Sequence, residues 1–293
     1  MKLLPFTEHI IKTIGESTQM PAIFRHITPE AGGSINESFK VETSVGNFFV
    51  KRNDKVLYPG MFEKEAKGLE LLRNPGGIRV PETIATGEQD AWQFLILRYV
   101  EKGITKNDFW EDFGRSLARL HKNTQPTFGL GYDNYIGSLP QKNTSTKSWP
   151  EFFVHYRLEP QIAHALNQKK LNHVQYDQFQ LLFKRLEKFF PEEPPALIHG
   201  DLWSGNFMAD QDGHPIIFDP AVSYSHRETD LAMTLLFGGF HSKFYSAYNE
   251  EYPLENGWKE RARIANLYPL LVHVNLFGGS YVQEVDSILQ QYR

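Results

Sequence analysis

Apolar residues follow two regimes along this chain, and the regimes predict different kinds of structure on either side of residue 105. Phe6, Ile10, Ile11 and Ile14 repeat at helical spacing, which predicts a short amphipathic helix over residues 5–15. Residues 23–27, 38–43 and 48–52 are short runs rich in β-branched and aromatic side chains, separated by glycine-bearing turns, and predict three strands. Residues 61–72 return to helical spacing, with Phe62, Ala66, Leu69 and Leu72 on one stripe. Asn74-Pro75-Gly76-Gly77 ends that helix, Val80-Pro81 enters an extended segment, and residues 92–97 form another apolar strand. Arg98 to Gly103 then turns polar, which predicts a lobe over residues 1–100 and a second over 101–293.

Beyond Thr105 the pattern is mostly helical. Phe113, Leu117 and Leu120 mark a helix over 109–121, and residues 149–165 and 176–190 predict two more. Another helix begins at 227–233, Leu235 to Phe240 interrupts it, and 262–274 is the last strongly apolar segment. One stretch breaks the helical regime. Residues 197–220, LIHGDLWSGNFMADQDGHPIIFDP, read as strand, loop, turn and strand ending on an acid.

That stretch carries candidate chemistry. Phosphoryl transfer from Mg-ATP needs a carboxylate beside the attacking hydroxyl, then an amide and a second carboxylate to hold magnesium on the phosphates. Asp201, Asn206 and Asp219 have the order and spacing with which the protein-kinase catalytic loop meets this need. A kinase also requires a phosphate-binding turn and a lysine on the following strand. Gly32, Gly33 and Ser34 supply the first, and Lys51, directly after Phe48-Phe49-Val50, the second. An inward lysine needs an acid, and Glu65 lies on the apolar stripe of its helix whereas Glu63 faces outward, so Glu65 is the expected partner. Adenine would hydrogen-bond to backbone at Arg98, Tyr99 and Val100. His199 reads as a brace for the loop and Asp230 as a buried acceptor for its backbone. Each piece alone has an ordinary structural explanation, such as Gly200 in a turn or Asp201 as a cap; their ordered combination across the chain points to a kinase. The expected fold class is α+β: a protein-kinase-like two-lobed fold, with a small antiparallel sheet and one helix in the N-terminal lobe and a larger, mainly helical C-terminal lobe.

Composition narrows the partners. The 293 residues are 41% hydrophobic and 23% charged, with a net charge of -4, which speaks against a nucleic-acid protein held by bulk charge. Zero cysteines exclude disulfides, thiolate zinc sites and cysteine nucleophiles, and no HxxxH or HExxH pairing supports a zinc site. No apolar run reaches the length of a membrane span, so no membrane is expected, and a cytoplasmic location is. Any dimer must be non-covalent; a monomer or such a dimer is the expectation.

LIHGDLWSGN with IFDP resembles the aminoglycoside phosphotransferase and choline kinase superfamily. Taken with GGSINESF, FFVK, MFEKEAKGLELL, ETDLAM, FGGF and NLFGGSY, it is similar to the fructosamine kinase, or ketosamine-3-kinase, family over about residues 23–281. The resemblance implies ATP-dependent phosphorylation of the sugar 3-hydroxyl of ketosamines, free or as glycated protein lysines, after which the adduct falls apart and frees the amine. It implies Asp201 as catalytic aspartate, Asn206 and Asp219 as magnesium ligands, Lys51 with Glu65 and the 32–34 turn on the phosphates, and Trp203 against the sugar. Many relatives carry cysteine at Ser34 and an acidic residue at Arg98. The first difference removes a redox-sensitive disulfide proposed for them, and the second leaves the hinge dependent on backbone. Kinases of aminoglycosides, choline or homoserine are the alternative, and a pseudokinase scaffold is a further one that intact Lys51, Asp201 and Asp219 disfavour.

Overall fold

The computed structural model describes residues 4–30, 35–73 and 77–292. Its N-terminal half is a five-stranded antiparallel sheet ordered β1-β2-β3-β5-β4, with β1 Phe24–Glu30, β2 Glu37–Thr43, β3 Gly46–Asp54, β4 Thr83–Gln89 and β5 Trp92–Arg98. Helix α1 (Pro5–Thr18) precedes the sheet and α2 (Met61–Arg73) lies between β3 and β4.

Successive side chains on a strand point to opposite faces, and here both faces are apolar. Phe48, Val50, Phe94 and Ile96 form one cluster with Ile10 and Ile14 of α1, while Leu95 and Leu97 form another with Phe62 and Leu69 of α2. The sheet therefore carries a helix on each face, and they are the two that the apolar spacing predicts over residues 5–15 and 61–72. A strand such as Trp92–Arg98, buried from Gln93 to Leu97, needs cover on both sides. The same alternation puts Lys51, paired in register with Leu95, on the α2 face.

The C-terminal half is mainly helical. It runs α3 (Phe109–His121), the hairpin β6 (Asn134–Ile136) and β7 (Leu139–Gln141), α4 (Trp149–Phe153), α5 (Glu159–Asn167) and α6 (His173–Phe183). Then come β8 (Ala196–Ile198), β9 (Phe207–Ala209), β10 (Pro215–Ile217) and β11 (Ser223–Ser225). The chain closes with α7 (Glu228–Leu236), α8 (Ser242–Glu251), α9 (Trp258–Ala265), α10 (Leu267–Phe277) and α11 (Ser280–Gln291). The helix expected over 149–165 is one rod bridged by a π-helical turn at Val154–Leu158. The helix expected over 176–190 starts earlier, where Asn172 and Gln175 make a reciprocal cap, and α-helix ends at Phe183. β8 pairs with β11 and β9 with β10, so the stretch 196–225 is two small ribbons with the loop 199–206 between them. No helix among the described residues is long and apolar enough to cross a membrane.

Several contacts join the halves, among them the Ile217 N–H donating to Arg79 O at 3.0 Å. Tyr99 N–H donates to Asn47 O in the sheet at 3.1 Å, and Gly103 N–H donates to Ala209 O on β9 at 3.0 Å. On the other side of the intervening cleft, the Tyr135 hydroxyl of β6 donates to the Pro59 carbonyl before α2 at 3.1 Å.

Candidate active site

Lys51 is 4% exposed, and its ammonium is held by two carboxylates: Glu65 Oε1 at 2.8 Å and Asp219 Oδ1 at 2.5 Å. The strand register and the inward stripe of α2 bring Glu65, not Glu63, to this place. Burial works to lower the Lys51 pKa, but Asp219 and Glu65 outweigh it, so the ammonium is held above its usual range. For Glu65, burial and the neighbouring Asp219 dominate over Lys51 and push the carboxyl up.

The loop after β8 brings the remaining groups to the same side. Gly200 has φ +82°, and a Cβ there would stand 2.1 Å from the Ala221 carbonyl oxygen, so only glycine lets the loop lie this close to residues 219–221. The Ala221 N–H donates to His199 O at 2.9 Å, and the Phe218 N–H to Asn206 O at 3.1 Å. These bonds stitch the two parts of the motif together main chain to main chain.

His199 is fully buried, with its Nε2 3.0 Å from the Phe218 carbonyl and its Nδ1 accepting from the Asp201 N–H at 3.2 Å. This pattern fits the neutral Nε2–H tautomer, and burial pushes its pKa down. Asp230, at the start of α7, accepts from the His199 N–H at 2.7 Å and the Gly200 N–H at 2.8 Å. Burial alone would raise its pKa, but the His121 contact, the nearby His199 ring and the Gly200 amide lower it.

Asp201 Oδ2 accepts from Asn206 Nδ2 at 3.0 Å, and the same nitrogen donates to the Asp201 main-chain oxygen at 2.8 Å. Desolvation pushes the Asp201 carboxyl up to about 7 against the lowering effect of Asn206, with Asp219 and Asp230 adding to the rise. A group that titrates near neutrality can take up a proton from a hydroxyl and release it again.

With its amide nitrogen spent on Asp201, Asn206 has its Oδ1 left for another partner. Asp219, in a left-handed conformation at φ +58°, engages Lys51 through one oxygen and keeps its side chain 45% exposed. One amide oxygen and one carboxylate form a hard-oxygen pair suited to magnesium, which takes few protein ligands and completes its shell with phosphate and water. No cluster of three or more His, Cys, Asp or Glu among the described residues could hold a metal by itself.

These groups line one cleft of about 250 Å³ between the halves, whose walls also include Tyr135 and Gly137 of the β6–β7 hairpin and His273 and Phe277 of α10. Trp203 borders it, 37% exposed, with its ring edge-on to Phe237 at 5.8 Å and laid back over Gly205, where a Cβ would stand 2.3 Å away. His273 packs against Phe237 at 5.0 Å and Tyr281 at 4.9 Å, its Nδ1 2.8 Å from the Pro269 carbonyl, and burial lowers its pKa. Sequence reasoning did not single out His273, Phe277 or the hairpin. α10 is apolar on all sides in sequence, and only the NLFGGSY segment marked its end.

Three expected nucleotide contacts lie apart from this group. Arg98 turns to Glu82 at 3.2 Å and lies over the Phe48 ring at 4.9 Å, and the Tyr99 hydroxyl donates to Glu30 at 3.2 Å. The Arg98 and Tyr99 amides donate to Glu82 O and Asn47 O, so among these three residues the Val100 amide is the one without a main-chain partner. Gly32, Gly33 and Ser34 lie outside the described residues.

Comparison with known proteins places this geometry in context. The family model described as fructosamine kinase matches residues 6–293. A protein from Enterococcus faecium named as a probable ketoamine kinase is 43% identical over 269 residues, covering 91% of this chain and 95% of its own. A chloroplastic protein-ribulosamine 3-kinase of Oryza sativa is 37% identical over 287 residues, covering 96% and 82%. The crystal structure of a candidate fructosamine-3-kinase from Haemophilus somnus superposes with a TM-score of 0.88 at 30% identity, covering 97% of this chain and 96% of that one. A spectinomycin phosphotransferase shares the fold at 14% identity, with a TM-score of 0.58.

Proposed function

Because the chain belongs to the fructosamine kinase family, we propose that it transfers a phosphoryl group from ATP to the 3-hydroxyl of ketosamines, ribulosamines and fructosamines, and so initiates deglycation. The observation that supports this best is the meeting of Lys51 from β3, Glu65 from α2 and Asp219 after β10 with Asp201 and Asn206 of the 199–206 loop in one cleft.

Residue roles follow from the contacts. Asp201 orients the acceptor hydroxyl and accepts its proton late, because a loose phosphoryl-transfer transition state asks little covalent help. Lys51, oriented by Glu65, stabilises charge on the phosphates. Asn206 and Asp219 would hold magnesium, which supplies charge neutralisation on the phosphate oxygens when bound. The Val100 amide is the hinge donor available to adenine, with Arg98 and Tyr99 shaping the hinge from behind. The turn at Gly32, Gly33 and Ser34 would cover the phosphates. Trp203 offers a flat apolar face to the sugar, and His199 and Asp230 hold the loop. In this reading residues 1–100 grip the nucleotide phosphates and 101–293 carry the catalytic loop and acceptor side. A monomer or non-covalent dimer acting in the cytoplasm completes the proposal.

An ATP-consumption panel with ribulose-lysine, fructose-lysine, kanamycin, choline and homoserine tests it. Turnover is expected with the two ketosamines. Robust turnover of any of the other three, with none on the ketosamines, would overturn the reading.

A further inference from the structure

Helix α2 carries a glycine at its middle for which its backbone has no need. Gly68 is buried and helical, a conformation in which alanine would make the stronger helix. The reason for the glycine lies across the helix surface. A Cβ on Gly68 would stand 3.2 Å from Val222 Cγ2, 3.5 Å from Pro220 Cγ and 3.6 Å from Val222 Cγ1. The first of these is inside the roughly 3.5–4.0 Å at which carbon atoms pack. Pro220 and Val222 belong to the segment that leaves Asp219, and Glu65 lies three residues before Gly68, so the two are neighbours on the surface of α2. The helix therefore meets residues 219–222 at two adjacent levels. At one, Glu65 and Asp219 share the Lys51 ammonium at 2.8 and 2.5 Å; at the next, the bare backbone of Gly68 lies against Pro220 and Val222.

The rest of α2 leaves it no simple retreat from this contact. Leu72, one turn beyond Gly68, is buried in the same cluster as Val222, Leu117 and Leu197 of the helical half, while Phe62 and Leu69 pack on Leu95 and Leu97 of the sheet. Beyond the helix, the Ile217 N–H holds Arg79 O at 3.0 Å. Fastened on both sides, α2 accommodates a side chain at position 68 only by tilting or by displacing residues 220–222. Either movement takes Glu65 or Asp219 away from Lys51, whose ammonium is buried and depends on both.

We propose that Gly68 is a positioning residue for phosphoryl transfer: the close approach it permits between α2 and residues 220–222 sets Glu65 and Asp219 on the Lys51 ammonium together. The proposal rests on Lys51 serving the nucleotide phosphates and not on the identity of the acceptor. The test compares Gly68→Ala, Gly68→Val, Val222→Ala and the double variant Gly68→Ala with Val222→Ala, by steady-state kinetics and by isothermal titration with Mg-ATP. Val222→Ala removes the two methyl groups that the new Cβ meets. Gly68→Ala is expected to raise the KM for ATP and weaken Mg-ATP binding by about 3–10-fold, and Gly68→Val by more than about tenfold, while the KM for the acceptor stays within about twofold. The double variant should return both ATP values to within about threefold of Val222→Ala alone. Loss of folded protein lowers kcat and leaves both KM values in place, so the split between them separates positioning from damage to the fold. Titration needs no acceptor: these shifts in a protein that turns over no ketosamine would support the positioning role and defeat the functional reading alone. The role is overturned by wild-type Mg-ATP affinity in both Gly68 variants, by an acceptor KM that rises with that for ATP, or by a double variant as impaired as Gly68→Ala.

Discussion

Replacing Asp201 by asparagine should make the nucleotide-free protein more stable and catalytically inert at once, with the gain in stability growing as pH rises from about 3.8 to about 7. The carboxyl is pushed up to about 7, chiefly by desolvation, whereas an unfolded aspartate titrates near 3.8. Between those values the folded state binds a proton that the unfolded state has released, so stability falls as pH rises through this window and levels off above 7. A displacement of that size corresponds to roughly 4 kcal/mol if the group is wholly dry. Because the side chain retains some solvent contact, about 2 kcal/mol is the working figure. The neutral amide keeps the shape and carries no such penalty. For a chain of this length, about 2 kcal/mol shifts Tm by about 4–8 °C. Thermal melts of both proteins, without nucleotide, should converge near pH 3, below both values, and separate by that amount at pH 8, with Asp201→Asn the more stable. Turnover of the variant should drop by about a hundredfold or more. A Tm difference that does not change with pH would refute the argument, because nothing but titration of Asp201 distinguishes the two side chains.

In the wild type, kcat should fall as pH drops below about 7, following protonation of Asp201, and a flat profile from pH 5 to 8 would contradict its role. Asp219→Ala should abolish magnesium-dependent nucleotide binding, which isothermal titration with Mg-ATP would register as lost heat. Gly200→Ala should cost about 3 kcal/mol or more in urea unfolding, since the new methyl group meets the Ala221 carbonyl and φ is left-handed. Sedimentation with and without reductant should return the same mass, because the chain has no cysteine.

Much of the site was legible because strong local rules applied there. A lysine after three apolar residues on a strand has to find a buried partner, and the helical stripe named Glu65 before its contact was known. The stretch 197–220 announced its turn and its strands through glycine and apolar runs. Legibility ended where tertiary contacts decide. Which helix covers which face of the sheet depends on what lies against each face, and the burial of residues 93–97 on both sides became visible only in the sheet. Arg98 ends β5 with its side chain on the outer face of the sheet, so a hinge position in sequence is no guide to its partner. Trp203 follows Asp201 closely in sequence, but its ring leans on Gly205 and Phe237, a direction that spacing alone does not encode. His273 was hidden because its helix lacks a polar face against which it would stand out, whereas α11 does carry apolar residues at helical spacing, Val285, Ile288 and Leu289, a signal that was legible and was passed over.

The two main-chain bonds at the join have a mechanical consequence. The last attachment to the sheet is the Tyr99 amide, and the first attachment to the helical half is the Gly103 amide. Only Val100, Glu101 and Lys102 lie between them, and the Glu101 side chain is itself tied back to Lys40 at 3.0 Å. A link of three residues spans about 10 Å at full extension, so the halves cannot drift apart here, and the Ile217 N–H donating to Arg79 O at 3.0 Å adds a second tether between them. Opposite this link, the Tyr135–Pro59 bond closes the cleft at its far edge. Angular opening of the cleft would therefore have to break that bond together with the Lys51–Asp219 ion pair inside the cleft and the Arg79–Ile217 main-chain bond, so closure is held at several points.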